Sequence, residues 1–199
     1  MAGTVLLAVH YQNENCHPDG KVKLGIAATA ETWREKTLAA AGRLLAGARS
    51  HGVPVIHVRL AVRADFRDVM ANAPIYRQWQ ETETWIEGTW GAEFLDGLGP
   101  AGDELVVTHT RNNAFYGSPL QAYLDRYRPR ALVIAGVSTA YAVDHATRHA
   151  ADLGYRVTIA HDACQTATLA QHEAALTTLV MFAEIKPVDE IVAGFAGGA

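Results

Sequence analysis

Three places in the chain carry residue types that can do chemistry at the end of a strand. His10 follows the unbroken apolar run Val5–Val9, VLLAV, which reads as a strand covered on both faces. His109 lies near the end of a second run, Leu105–Thr110. Histidine titrates near neutral pH and can serve as acid, base or metal ligand. The third place is Val133–Ala151, VIAGVSTAYAVDHATRHAA. It reads as a buried strand ending at Gly136, a tight turn, and entry into a helix. In a parallel α/β sheet such a turn lies at the carboxyl edge, where ligands bind. Main-chain N–H groups around Ser138 and Ala142 are placed there to form an oxyanion hole.

The elements needed to position these residues can be read in order. After the first strand, residues 11–28 carry the turn residues Asn13, Asn15, Pro18, Asp19 and Gly20. Thr29 can cap a helix over 30–50, with Trp33, Thr37, Ala40, Leu44 and Ala48 on one stripe. Strands follow at 54–60, 105–110, 131–135 and 156–160, with a short sixth near 185–187. Helices are predicted over 118–127, opened by Ser118 and Pro119, over 139–153, and over 171–184. The long connection 61–103 has few regular signals and holds Trp79, Trp85 and Trp90. A connection of this length is usually functional or packs on a partner. The Gly-rich end, 194–199, reads as a mobile tail. Alternating strands and helices predict an α/β fold: a parallel sheet with helices on both faces.

Composition narrows the function. The 199 residues, with 49% apolar and 19% charged, fit a single domain over 1–199 with a sizeable core. A net charge of -4 offers no basic stripe, so nucleic acid is not an expected partner. No apolar run is long enough for a membrane span. With no signal-peptide pattern, Cys16 and Cys164 are expected to be reduced thiols in a cytoplasmic protein.

Five segments, in order, carry a resemblance to one family. The turn Gly136–Val143, GVSTAYAV, resembles the nucleophile turn G-V-x-T-x-x-C-V of the isochorismatase-like cysteine hydrolases. VLLAVHYQN (Val5–Asn13) resembles their opening strand, which ends Asp-x-Gln-Asn. GTWGAEFLDGL (Gly88–Leu98), LVVTHTRNNAFYG (Leu105–Gly117) and RHAADLGYRVTIAHDAC (Arg148–Cys164) are similar to three further family segments. The resemblance implies a three-layer, Rossmann-like fold with a six-stranded parallel sheet in the order 3-2-1-4-5-6. It also implies a homodimer or homotetramer, and a non-proline cis peptide between Val137 and Ser138.

The family's catalytic Asp, Lys and Cys fall on His10, His109 and Ala142. Alanine cannot attack a carbonyl, so thioester chemistry at position 142 is excluded. The leading expectation is a cysteine-independent hydrolase or lyase, with His10 and His109 as its acid/base pair. Its substrate is expected to be a small cyclic or aromatic acid, amide or vinyl ether, and it needs no cofactor or metal. The first alternative is a catalytically inactive relative that binds a small molecule or serves structurally. The second is a metal-dependent hydrolase using His10, His109 and His145.

Further residues are expected around the substrate. Arg111 can hold a carboxylate, or else pair with an acidic neighbour. Phe115 matches a family phenylalanine and can pack or touch the ligand. Asn15 stands where the family often has an aromatic residue, which makes that wall more polar. Tyr141 precedes Ala142 and can face the cleft or the core. Trp79 and Trp85 are expected near the ligand, the alternative being a dimer interface. Gln12 and Asn13 are read as braces for the loop after the first strand. Asp162 and Cys164 match the family's structural D-A-C element, and Cys16 is a candidate for a relocated nucleophile.

Overall fold

The computed structural model describes residues 3–22 and 31–196. Six strands form one sheet: β1 (Thr4–Val9), β2 (Val55–Leu60), β3 (Leu105–His109), β4 (Ala131–Gly136), β5 (Arg156–Ala160) and β6 (Glu184–Lys186). Their order is β3-β2-β1-β4-β5-β6 and every pairing is parallel, as the resemblance implied. β1 is buried along its whole length, which is why an unbroken apolar run suits it. The long helix α2 (Glu31–Ser50) buries Thr37, Ala40, Leu44 and Ala48 of the expected stripe. Trp33 is only half-buried, against His172. The Thr29 cap lies outside the described residues.

Register fixes the site. Val9 pairs with Gly136 and Leu60 pairs with His109. His10 therefore leaves β1 beside the turn that follows β4. The order of strands reverses between β1 and β4, so this is the switch point of the sheet. Gly136 makes the close approach possible. Its φ is +155°, and a Cβ there would stand 2.1 Å from the Val9 carbonyl oxygen. The Val137–Ser138 peptide is cis, at the position the resemblance implied.

Several elements differ from the sequence expectation. The first loop contains a one-turn helix, α1 (Asn13–Cys16). The long connection contains α3 (Pro74–Glu81) and a small apolar cluster of Leu60, Val62, Val69, Tyr76, Trp79 and Trp85. α4 (Leu120–Tyr127) starts as expected, and the Ser118 hydroxyl accepts from Leu120 N–H. The helix expected from Thr139 begins instead with a wide π-type turn, Thr139–Val143, before α5 (Asp144–Asp152). α6 (Leu169–Leu179) is capped by Thr168 and stops early, because the N–H groups of Phe182 and Ala183 both turn back to the Leu179 carbonyl. Apolar Val180, Met181 and Phe182 continue the helical pattern but lie in that exposed turn. A last helix, α7 (Val188–Ala196), takes in residues 194–196 of the expected tail, and Asp162 accepts from its first N–H, Val188 N, at 2.8 Å. No helix among the described residues is long and apolar enough to cross a membrane.

Gly136→Ala sets a backbone atom against a new methyl group with nowhere to move. It should cost more than about 3 kcal/mol or prevent folding, as overpacking at a position with positive φ does. Urea denaturation read by circular dichroism checks this, and a near-neutral variant would refute the close-approach argument.

Candidate active site

His10 and His109 meet as a directly bonded pair. Their Nε2 atoms are 2.7 Å apart and their rings are stacked at 5.0 Å. His10 sits just past β1 with φ +55°, a left-handed conformation that aims its ring across the end of the sheet. Both side chains are buried, at 2% and 3% exposure. Burial lowers the pKa of His10 well below the usual value, the neighbouring His109 lowers it further, and the Val137 backbone works the other way. Burial also lowers His109, to about 4, against a weaker pull from the Asn113 backbone. At neutral pH both rings are therefore neutral. Two neutral imidazoles can share this bond only if one holds a proton on Nε2 and the other does not. The His109 Nδ1 is buried and has no hydrogen bond of normal geometry.

A narrow cleft lies over His10. One wall is the turn after β4: Val137, Ser138, Tyr141 and Ala142. The opposite wall is Leu60, Ile75, Trp79 and Trp85, supplied by β2 and the long connection. Val22, Asn15 and Asn112 complete the described lining. In the turn, Thr139 N–H donates to Gln165, and Tyr141 and Val143 N–H donate to the Ser138 carbonyl. The Ala142 N–H is outside these bonds. Ser138 Oγ is paired with Thr166 Oγ1 at 2.8 Å. Asn15 reaches the Val137 carbonyl at 3.4 Å.

Gln12 locks the floor of this arrangement. Its amide nitrogen donates to Leu60 O and Ala92 O, each at 2.7 Å, and its oxygen accepts from Leu60 N–H at 2.8 Å. Asn13 donates to Trp90 O. The expected brace thus ties β1 to β2 and to the long connection. Trp90 itself is half exposed and lies outside the described cleft lining, with its ring against His17.

Other expected site residues are placed elsewhere. His109 stands behind His10 and is not part of the described lining. Among the described residues, Arg111 neither lines the cleft nor pairs with an acid. Its guanidinium lies 3.6 Å over the Tyr76 ring and donates to Met70 O and Asn72 Oδ1. Phe115 stacks on His149 at 4.7 Å, away from the cleft. His145 bonds Asn112 and the Tyr141 carbonyl through Nδ1, so it does not join the histidine pair. No group of three metal-binding side chains forms among the described residues, which removes the His10, His109 and His145 metal reading. Cys16 is fully buried, and burial pushes its thiol far up. It does not line the cleft, so it is no relocated nucleophile. Sequence reasoning missed Asn112, three residues past His109 and the first polar side chain after Arg111.

The sheet order and a cleft at the β1/β4 switch point define a Rossmann-like α/β protein built around a strand-end site. Comparison with known proteins narrows this to a family. The isochorismatase domain matches residues 4–190, and the chain belongs to the isochorismatase family. It is 30% identical over 156 residues to the isochorismatase family protein YecD of Escherichia coli O157:H7, covering 76% of this chain and 79% of that one. It is also 30% identical over 117 residues to the N-carbamoylsarcosine amidase of an Arthrobacter species, 57% of this chain and 44% of that one. The crystal structure of an isochorismatase family protein from Desulfovibrio vulgaris superimposes with a TM-score of 0.83 at 27% identity, covering 97% of this chain and all of that one.

The buried histidines make stability depend on acid. Burial lowers His10, His57, His109 and His172, the last two to about 4. Between pH 6.5 and 4 the unfolded chain binds more protons, so folding weakens as pH falls. His109 alone is worth on the order of 3 kcal/mol over that span. The urea midpoint should fall steeply from pH 7 to 4.5, and less steeply in the His10→Phe/His109→Phe double variant. A midpoint independent of pH would show that the rings are not held neutral.

Proposed function

We propose that the chain is a cysteine-independent hydrolase of the isochorismatase family, acting on a small cyclic or aromatic amide, with His10 as general base and His109 as its proton partner. The observation that carries this is the neutral imidazole pair at the cleft floor, with His10 in the lining and His109 directly behind it. A base must be unprotonated at working pH, and burial favours that form in both rings. The same fact argues against acid-catalysed cleavage of a vinyl ether, which needs a proton to give.

Water is the nucleophile in this scheme, since Ala142 has no reacting atom. His10 takes the water's proton on Nε2 as that atom parts from His109 Nε2, while its other ring N–H stays on the Val137 backbone and steadies the charged ring. The hydroxide oxygen bonds to the carbonyl carbon, and the oxyanion is held by the Ala142 N–H. Collapse breaks the C–N bond, and the histidine pair returns the proton to the departing nitrogen. Flat walls at Trp79, Trp85 and Tyr141 suit a ring. The amidase name of one relative points to the same class of bond.

A second reading, a binding protein without turnover, is favoured by one observation: each Nε2 is already engaged by the other. Assay of a panel of small aromatic and cyclic amides separates the two. Hydrolysis should be flat with pH over roughly pH 6 to 8.5, because no unperturbed histidine titrates in the site. His10→Ala should lower kcat/KM by about 100-fold or more, the usual worth of a general base. His109→Gln should move the acid limb to higher pH than in the wild type, since His109 helps keep His10 low, with burial still holding it below the ordinary histidine range. Binding without product in the wild type, or full activity in His10→Ala, would transfer the argument to the second reading.

A further inference from the structure

Two features of the cleft bear on what it can hold. The first is charge. None of the described lining residues is Lys, Arg, Asp or Glu. The cation nominated for a substrate carboxylate, Arg111, is spent on Tyr76, Met70 and Asn72. Both histidines are held neutral. A carboxylate brought here would lose its water without gaining a cation from the described lining, which is costly.

The second feature is one N–H group. The indole Nε1 of Trp85 is buried and has no hydrogen-bond partner among the described residues. Trp85 is 2% exposed and lines the cleft. Among the described lining residues, it carries the one such orphaned side-chain atom. Buried polar groups are nearly always paired, so this N–H, closed to water in the structure, is a place for a ligand acceptor that opens the wall around it. The residue is held firmly. Its φ is +64°, rare for a bulky side chain. Its carbonyl accepts from Val62 N–H at 2.8 Å, and Glu87 N–H returns a bond to Val62 O. Its ring packs edge-on to Trp79 at 6.3 Å and lies 6.5 Å from the His10 ring. The backbone therefore accepts an unusual conformation to set an indole beside the proposed base.

We infer that the cleft selects an uncharged, planar substrate, and that Trp85 Nε1 donates a hydrogen bond to a neutral acceptor oxygen or nitrogen on it. This rests on reading the cleft as the substrate site, and it excludes the acids in the sequence expectation. Trp85 is a specificity residue in this scheme and takes no proton.

The test uses binding, so it is independent of turnover. Benzamide, benzoate and toluene share a ring and differ in charge and acceptor. Each is titrated into the wild type and Trp85→Phe at pH 7.5, following the indole N–H signals by nitrogen–proton NMR. Benzamide should bind about tenfold or more tighter than benzoate, given the cost of an unpaired carboxylate. It should also shift the signal that Trp85→Phe lacks. The variant should weaken benzamide by about 2- to 10-fold, the worth of one neutral hydrogen bond, and leave toluene unchanged. Benzoate binding as tightly as benzamide overturns the charge argument in the wild type alone, whether or not the variant folds. An unmoved Trp85 signal, equal loss for toluene, or no benzamide binding at millimolar concentration overturns the donor role. Benzamide bound as expected but never hydrolysed would leave this inference standing and count against the proposed hydrolase.

Discussion

Two imidazoles 2.7 Å apart, both out of water, can share one proton between their facing nitrogens and no more. That constraint governs the site. A charged ring there would lack a compensating anion, so the pair stays neutral and each ring satisfies the other. The β1, β2 and β3 ends must then be held in fixed register, because a small shift would leave two buried nitrogens unpaired. Gln12 supplies that hold by bonding both main-chain groups of Leu60, the residue that pairs with His109. The pair and the clamp are one piece of engineering across three strands, with the facing Nε2 atoms and the Gln12 amide satisfied internally where water is excluded.

The long connection is the other half of the site. It has no strand of the sheet, only α3 and a single 3-10 turn at Trp90–Ala92, yet with Leu60 of β2 it forms a separate apolar cluster. Gln12 fastens its far end through Ala92 O, and the Val62 and Glu87 main-chain bonds around Trp85 fasten its middle. The histidine pair thus comes from the sheet, and much of the cleft's apolar wall comes from the connection. Variation in this segment would alter the ligand without touching the histidines.

The fold was legible because its signals are local. VLLAV, the Gly136 turn and the alternation of strand and helix each follow from short-range pattern, and the strand order came with the family resemblance. Helices α3 and α7 were missed although both carry a helical stripe, Tyr76 and Trp79 in one and Val188, Ile191 and Phe195 in the other, because α3 is short and lies in a stretch read as a connection and the end of α7 lies in a stretch read as a tail. The π-type turn at Thr139 was read as ordinary helix because its composition is the same. At the site, strand ends placed His10, Ser138, Tyr141 and Ala142, and two tryptophans were named from residue type. Arg111, Phe115 and His145 were misplaced in space, though not in sequence. Each lies near a strand end or helix start, but side-chain direction sends it to Tyr76, His149 or Asn112. Direction depends on tertiary neighbours that no pattern of residue types contains.

The thiols of this chain are also out of reach. Cys16 and Cys164 are buried, burial pushes both thiols up, the second to about 12, and position 142 is alanine. Oxidants attack thiolates, and here there is none to attack. Whatever the cleft binds or turns over, its described lining holds no thiol for peroxide or a thiol-directed reagent to modify, a robustness that a thiol nucleophile in the same turn would forfeit.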